Sequence, residues 1–527
     1  MRTVDAVVIG AGFAGLYMLH RLRQQGLSAQ VFEKGTGVGG TWYWNRYPGA
    51  RCDVESMEYS YQFDDELQQE WNWTERYAAQ PEILEYANHV ADRFNLREQI
   101  QFNTVVNSAK FDEAQQRWQV TTDQGKSLSA QYLIMATGCL SSSNLPKIPG
   151  QENFTGATYH TGQWPHEGVD FSGLEVAIIG TGSSAIQSIP VIAEQAEHLY
   201  VLQRTPNYSI PAHNAPLEPQ VQQQIKDDYS GLRERGALSP FGIAFEWNID
   251  SALVDTDAQR KAAYEKRWQM GGLGFLGAYG DLLFSGDAND TAAEFVRGKI
   301  RDIVDDPAVA EILSPMQTFG CKRVCADTGY YATFNRDNVT LVDLQEQPIQ
   351  GFMEHGIITH KQVIEADVIV YATGFDAMTG AILKVDIVGR EGQSLRDKWS
   401  EGPKTFLGLG TSGFPNLFII TGPGSPSVLT NMLPSIEQNV EWISDCIGYL
   451  QQQGQVTIEA TLAAEEAWVA EVNELADRTL FPTCNSWYLG ANIPGKPRVF
   501  MPYIGFPAYV EKCAEVASEG YAGFAIS

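Results

Sequence analysis

Positive charge is in short supply in this sequence. Lysine and arginine together number 37 against 64 aspartates and glutamates, a formal net charge of −27. Nucleic acid and anionic membranes are polyanions, so neither is an expected partner. Cysteine is scarce as well. The seven, at positions 52, 139, 321, 325, 446, 484 and 513, include no C-x-x-C pair. Their odd number and wide spacing predict isolated thiols in a reducing cytoplasm rather than a disulfide framework. The same absence excludes the redox pair of a disulfide reductase. No cluster of His or Cys surrounds Cys321 and Cys325, so no metal is expected. No run of 18 apolar residues is free of turn or charge signals, and no membrane span is predicted. The apolar start from Val4 to Leu19 imitates a signal peptide, but Asp5 interrupts it and its glycines have another use. Internal repeats and low-complexity tracts are absent too.

What is present is length. A chain of 527 residues exceeds what one core serves, so two or three domains are expected. Val4–Ile9 and Val176–Ile179 are short β-branched runs, each followed by a Gly-rich turn and an apolar-periodic helix. Tyr132–Met135, Leu199–Gln203 and Val368–Tyr371 read as further buried strands. Strands alternating with helices predict an α/β fold with two parallel, Rossmann-like sheets. Between Pro211 and about Gly320 strand signals thin out. Thr256–Met270 and Asp290–Val304 read there as capped amphipathic helices, a helical insertion. Ser143–Pro149 and the region near Asp376 read as linkers. The expected division is residues 1–142 with 381–527, residues 150–210 with 321–376, and an insertion over 211–320.

Gly10-Ala-Gly12-Phe13-Ala14-Gly15 is G-x-G-x-x-G between a strand and a helix. The first glycine allows the tight turn, the second lets backbone approach a pyrophosphate, and the third lets helix pack on strand. Glu33 ends the next strand, where an acid binds ribose hydroxyls and repels a 2′-phosphate; this suits the AMP half of FAD. Gly180-Thr181-Gly182-Ser183-Ser184-Ala185 is a second copy. Its following strand ends in Gln203-Arg204-Thr205, a cation and a hydroxyl in place of the acid. Arginine suits a 2′-phosphate, so the second dinucleotide is expected to be NADPH. Ala136-Thr137-Gly138 and Ala372-Thr373-Gly374 each close an apolar strand and could cover a cofactor. Two dinucleotide sites imply hydride transfer from NADPH to flavin.

Two longer patterns narrow the field. Phe154-x-Gly156-x-x-x-His160-x-x-x-Trp164-Pro165 resembles the fingerprint of the type I Baeyer–Villiger monooxygenases. Gly39-Gly40-x-Trp42-x-x-x-x-Tyr47-Pro48-Gly49-x-x-x-Asp53 resembles the family's second fingerprint. The likeness runs through Trp71–Tyr77, Gly422–Ser427, Trp487 and Gly495–Arg498, and is greatest to the phenylacetone monooxygenase branch. It implies conversion of ketones to esters or lactones with O₂ and NADPH, through a C4a-peroxyflavin and a tetrahedral adduct, with sulfides as further substrates.

The resemblance also implies roles. Arg323 aligns with the active-site arginine, whose permanent charge can hold a developing anion. Asp53 aligns with its acidic partner, and Lys322 with a residue at the 2′-phosphate. Lys34, Gly40, Thr41, Trp42, Tyr47, Gln187 and Met432 fall among matched cofactor-binding positions, and Trp487 aligns with a mobile-loop tryptophan expected either to contact NADP or to close the site. His160 reads as a hinge or domain-coupling residue rather than a base. Ser427, Val428, Leu429, Thr430 and Met432 match a loop lining the substrate pocket, and Cys139 and Leu140 are expected to face it. Cys139 departs from the glutamine expected in the nearest branch, which leaves substrate preference open. A monomer is expected. Two other readings remain. A flavin monooxygenase acting on amines or thioethers would carry a shortened Phe154–Pro165 pattern. A catalytically idle redox-responsive flavoprotein would have no need of Arg323 and Asp53.

Overall fold

In the computed structural model, which describes residues 2–527, two sheets organise the chain. The first has eight strands. Asp386–Val388, Val106–Asp112, Arg117–Thr122, Ser127–Met135, Arg2–Ile9, Ala29–Phe32 and Ile100–Gln101 lie side by side, and Leu417–Ile419 adds to Ser127–Met135. The second has five parallel strands in the order Val339–Asp343, His198–Gln203, Glu175–Ile179, Val368–Tyr371, Ala157–His160. The expected buried strands all lie within these, because near-continuous Val, Ile and Leu can be buried on both faces only beneath helices. Helix Phe13–Gln24 follows the first strand and Ser183–Gln195 follows Glu175–Ile179. The chain returns late to the first sheet. Helix Met432–Gln453 packs on Phe13–Gln24, where Tyr17 donates to Glu441 at 2.9 Å and Arg21 Nε to Ser444 at 3.2 Å.

Between the sheets' contributions lie five α-helices of seven or more residues, Pro219–Asp227, Tyr229–Ala237, Asp257–Met270, Gly286–Ile303 and Pro307–Leu313. Thr256 caps the third with a reciprocal pair to Gln259, as its sequence predicts. The fourth begins one turn before the expected Asp290, because the Ser285 hydroxyl accepts from the Ala288 amide and supplies a cap there. Strands Ser209–Pro211 and Cys325–Asp327 pair in parallel where this helical segment leaves and rejoins the second sheet.

One expectation is corrected. Cys321 and Cys484 form a disulfide, while Cys52, Cys139, Cys325, Cys446 and Cys513 are free and buried. The partners are 163 residues apart, so no spacing motif reveals them. Among the described residues no helix is long and apolar enough to cross a membrane.

Candidate active site

The two Gly-rich turns are built alike. Gly10 sits at φ +107°, and a methyl group on it would lie 2.5 Å from the carbonyl oxygen of Ala136. Gly180 sits at φ +115°, and its methyl group would lie 2.4 Å from the carbonyl oxygen of Ala372. Only glycine satisfies both demands. Thus Ala136-Thr137-Gly138 and Ala372-Thr373-Gly374 close over the turns; the Ala136 amide donates to Ile9 and the Ala372 amide to Ile179, both at 3.0 Å.

The first turn fits an FAD-type dinucleotide. Gly12 and Gly40 face each other as bare backbone, and a Cβ on Gly12 would come within 3.3 Å of the Gly40 Cα. Glu33 is buried, with its carboxylate accepting from the amides of Ala11 at 2.9 Å and Gly35 at 2.7 Å. Phe13 turns inward, its ring edge-on to Tyr61, so its contribution to a ligand is through backbone; Ala14 and Gly15 follow it into the buried helix. Gly40 leads into the short helix Thr41–Trp44, and Trp42 donates to the Tyr59 hydroxyl at 3.1 Å. Lys34 lies over the Trp44 ring at 4.3 Å. Met432 opens helix Met432–Gln453.

The second turn fits a phosphorylated dinucleotide. A Cβ on Gly182 would meet nothing within 4 Å, so the head of Ser183–Gln195 is open to an anion. Thr181 donates to the carbonyl of Thr205 at 2.8 Å. Ser183 lies against the Cys325 thiol at 3.2 Å, Ser184 against Thr161 at 3.1 Å, and Ala185 is fully buried. Arg204 is exposed at its strand end. Burial, and then the charge of nearby Arg204, hold the Lys322 ammonium below the ordinary lysine range. Two cations that repel one another here would both gain from a phosphate between them.

Arg323 lies next to Lys322 in sequence and is the polar centre of the site. Its Nε and Nη2 donate to the two oxygens of Asp53, at 2.5 and 3.0 Å, and Nη1 donates to the Val428 carbonyl at 2.8 Å. Burial opposes the charge, but the Asp53 carboxylate more than offsets it and holds Arg323 above its ordinary pKa. Beside this pair is a cavity lined by Phe241, Ile243, Phe245, Leu273, Leu276, Leu283, Phe481 and Tyr488 as well as Arg323, Val324 and Leu429. Sequence reasoning found Leu429 and Arg323 but not the rest, since an apolar wall residue carries no local signal distinct from core. Ser427 and Thr430 are turned into their own loop: Ser427 donates to the Thr421 carbonyl and Thr430 to that of Ser427, both at 3.0 Å. Cys139 is buried behind this loop with its carbonyl accepting from Met378, and Leu140 is half-buried. Trp487 is half-buried against Tyr488.

Residues 7–235 match the family model described as pyridine nucleotide-disulphide oxidoreductase. Over 523 residues the chain is 44% identical to a Baeyer–Villiger monooxygenase of Pseudooceanicola batsensis, covering 98% of this chain and 95% of the relative. The chain belongs to the Baeyer–Villiger monooxygenase family. Among solved structures, an oxidised steroid monooxygenase bound to NADP is 53% identical with a TM-score of 0.95 over 99% of both chains. The enzyme OTEMO in complex with FAD and NADP is 40% identical with a TM-score of 0.96, again over 99% of both.

In this Baeyer–Villiger monooxygenase the Phe154–Pro165 fingerprint lies along the edge of the second sheet. A Cβ on Gly156 would strike the Asp367 carbonyl at 2.3 Å, and Phe154 packs edge-on to Phe352. His160 accepts from the Gly162 amide at 2.9 Å through Nδ1, and its Nε2 lies 3.4 Å from the Thr373 hydroxyl. Thr373 in turn donates to Asn144 at 2.5 Å, so His160 touches both chain crossings between the sheets. Burial holds its pKa below the ordinary range. Trp164 is buried, its amide donating to the Trp44 carbonyl across to the first-sheet unit at 3.3 Å, and Pro165 follows it.

Proposed function

We infer that this chain binds FAD at the Gly10–Gly15 turn and NADPH at the Gly180–Ala185 turn, and oxygenates uncharged ketones to esters or lactones. The observation that carries this reading is the Arg323–Asp53 pair at the wall of an apolar cavity. Flavin held at the first turn would, after reduction by NADPH, activate O₂ so that one of its oxygen atoms passes to the ketone. The protein's part is electrostatic and steric. Asp53 fixes the guanidinium plane and keeps it charged, so the donors left free on Arg323 are aimed before any anion develops. Arg204 and Lys322 select the 2′-phosphate, and Glu33 takes the ribose of the other dinucleotide. The cavity lining excludes water and offers no partner to a second charge on the substrate, which favours ketones without carboxylate or phosphate groups.

Residues 1–142 with 381–527 form the FAD unit, 150–210 with 321–376 the NADPH unit, and 211–320 the insertion that walls the cavity. Trp487 closes the site beside Tyr488, and His160 couples the crossings. Sulfides small enough for the cavity are expected as a second substrate class. We place the enzyme in the cytoplasm, where NADPH is supplied. A panel of linear, cyclic, aromatic and polycyclic ketones, with amines and thioethers beside them and products identified by mass spectrometry, tests the reading. Oxygenation of amines with no ester from any ketone would overturn it.

A further inference from the structure

The apolar cavity presents two polar side chains, Arg323 and Tyr488. Tyr488 is 2% exposed, and its hydroxyl makes no hydrogen bond to any described residue. The oxygen is not among the enclosed, unpartnered side-chain atoms, so it reaches the open space of the cavity that Tyr488 lines. It is held where it is by everything else about the residue. Its amide donates to the Ser486 hydroxyl at 3.3 Å, and its carbonyl accepts from the Met501 amide at 3.2 Å. The ring packs edge-on against Phe481 at 5.7 Å and beside Trp487 at 4.4 Å. The Cys321–Cys484 disulfide joins its loop to the segment that carries Arg323. The hydroxyl is therefore a fixed, unspent donor in the cavity.

Arg323 leaves a need for such a donor. A guanidinium has five N–H groups. Three are engaged, two by Asp53 and one by the Val428 carbonyl, which leaves two for the reaction. Oxygen insertion needs negative charge held at two places in turn, on the attacking oxygen before addition and then on the ketone's carbonyl oxygen, which gains the charge as the attacking oxygen loses it. Two N–H groups on one rigid plane serve one of these oxygens well and both poorly.

We propose that Tyr488 is a further catalytic residue, whose hydroxyl donates a hydrogen bond to the ketone carbonyl oxygen and holds the charge that grows there while Arg323 holds the attacking oxygen. This deepens the ketone-oxygenating reading and rests on it. No bond to Tyr488 forms or breaks and no proton leaves it. Burial raises the hydroxyl pKa well above the ordinary tyrosine range, against the opposing charge of Arg323, so it remains a donor.

The test compares Tyr488→Phe with wild type as FAD-loaded holoenzyme. The carbonyl stretch of ¹³C-labelled cyclohexanone, bound to the oxidised holoenzyme with NADP, is read by infrared difference spectroscopy. Wild type should lower the stretch relative to hydrocarbon solvent, and Tyr488→Phe should restore much of it. Ester formation should fall about 10²- to 10³-fold in kcat, as for loss of one oxyanion donor. Flavin reduction by NADPH should be unchanged and peroxide release should rise. Replacing Tyr488 with 3-fluorotyrosine, a stronger donor of nearly equal shape, should lower the stretch further, and it keeps the test open if the phenylalanine variant folds poorly. An identical stretch and kcat in wild type and variants would overturn the role of Tyr488. That outcome is separable from failure of the parent reading, which would show as no ester from wild type itself.

Discussion

The hydroxyl of Tyr47 donates to the side-chain oxygen of Gln187 at 2.9 Å, across the joint between the two dinucleotide-binding units. The Gln187 amide then donates to the Arg51 carbonyl at 3.0 Å, and the Arg51 amide returns to Gln187 at 3.4 Å. One glutamine thus stitches the second Gly-rich helix to the loop that leads to Asp53. Gln187→Ala would leave the Tyr47 hydroxyl and a backbone carbonyl without partners, at roughly 1–3 kcal/mol each. The expected result is a lower melting temperature and more hydrogen peroxide per NADPH consumed, with FAD content retained. Wild-type coupling in this variant would mean the joint is held elsewhere.

Arg323→Ala should bind FAD and be reduced by NADPH at near wild-type rate, yet form ester ~10²- to 10³-fold more slowly. Hydride transfer creates no anion that needs this guanidinium, whereas oxygen insertion does. Stopped-flow reduction alongside product quantification separates the two steps, and full ester yield would remove Arg323 from the chemistry.

Arg204→Ala with Lys322→Ala should raise the KM for NADPH far more than that for NADH, since each lost contact to a charged phosphate is worth roughly 1.5–3 kcal/mol. In the single variant Arg204→Ala, Lys322 loses a repelling neighbour and its pKa should rise toward the ordinary value. The sign follows for pH. A lysine contact is present below the lysine pKa and lost above it, so wild-type NADPH affinity should weaken on the alkaline side while NADH affinity stays level. Parallel pH profiles for the two nucleotides would place the 2′-phosphate away from Lys322.

Glu437 is buried on helix Met432–Gln453, with one oxygen accepting from the amides of Gln62 and Phe63 and the other without a partner. Burial pushes its pKa up to about 8. An acid with a raised folded pKa binds its proton more tightly in the folded state. Its contribution is complete below the unfolded value near 4.5 and is lost as pH rises to about 8. Glu437→Gln should therefore gain melting temperature relative to wild type as pH goes from 6 to 8.5. Parallel curves in differential scanning calorimetry would show that Glu437 does not set the alkaline slope.

Legibility from sequence followed locality. The turns at Gly10 and Gly180 were readable because their φ angles and the carbonyls of Ala136 and Ala372 admit nothing larger than hydrogen. The five buried strands were readable because β-branched runs have few other uses. Arg323 and Asp53 lie 270 positions apart, and only the resemblance to a family paired them. The Cys321–Cys484 bond was misread for the same reason. Phe241, Phe245 and Leu273 were not readable at all, because a residue that walls a cavity and one that fills a core obey the same rule until a space is left between them.

The cavity draws its two sides from different stretches of chain. Arg323, Val324, Leu429 and Tyr488 come from segments bound to the dinucleotide units, whereas Phe241, Ile243, Phe245, Leu273, Leu276 and Leu283 come from the helical segment between Pro211 and Gly320. The proposed oxygenating pair and most of the apolar wall therefore come from separate stretches of chain, with Phe481, Val324, Leu429 and Tyr488 completing the wall from outside the helical segment. Exchanging the helical segment for that of another family member, or diversifying those six side chains, offers a route by which evolution or an engineer could change which ketone is accepted while the oxygenating machinery stays as it is.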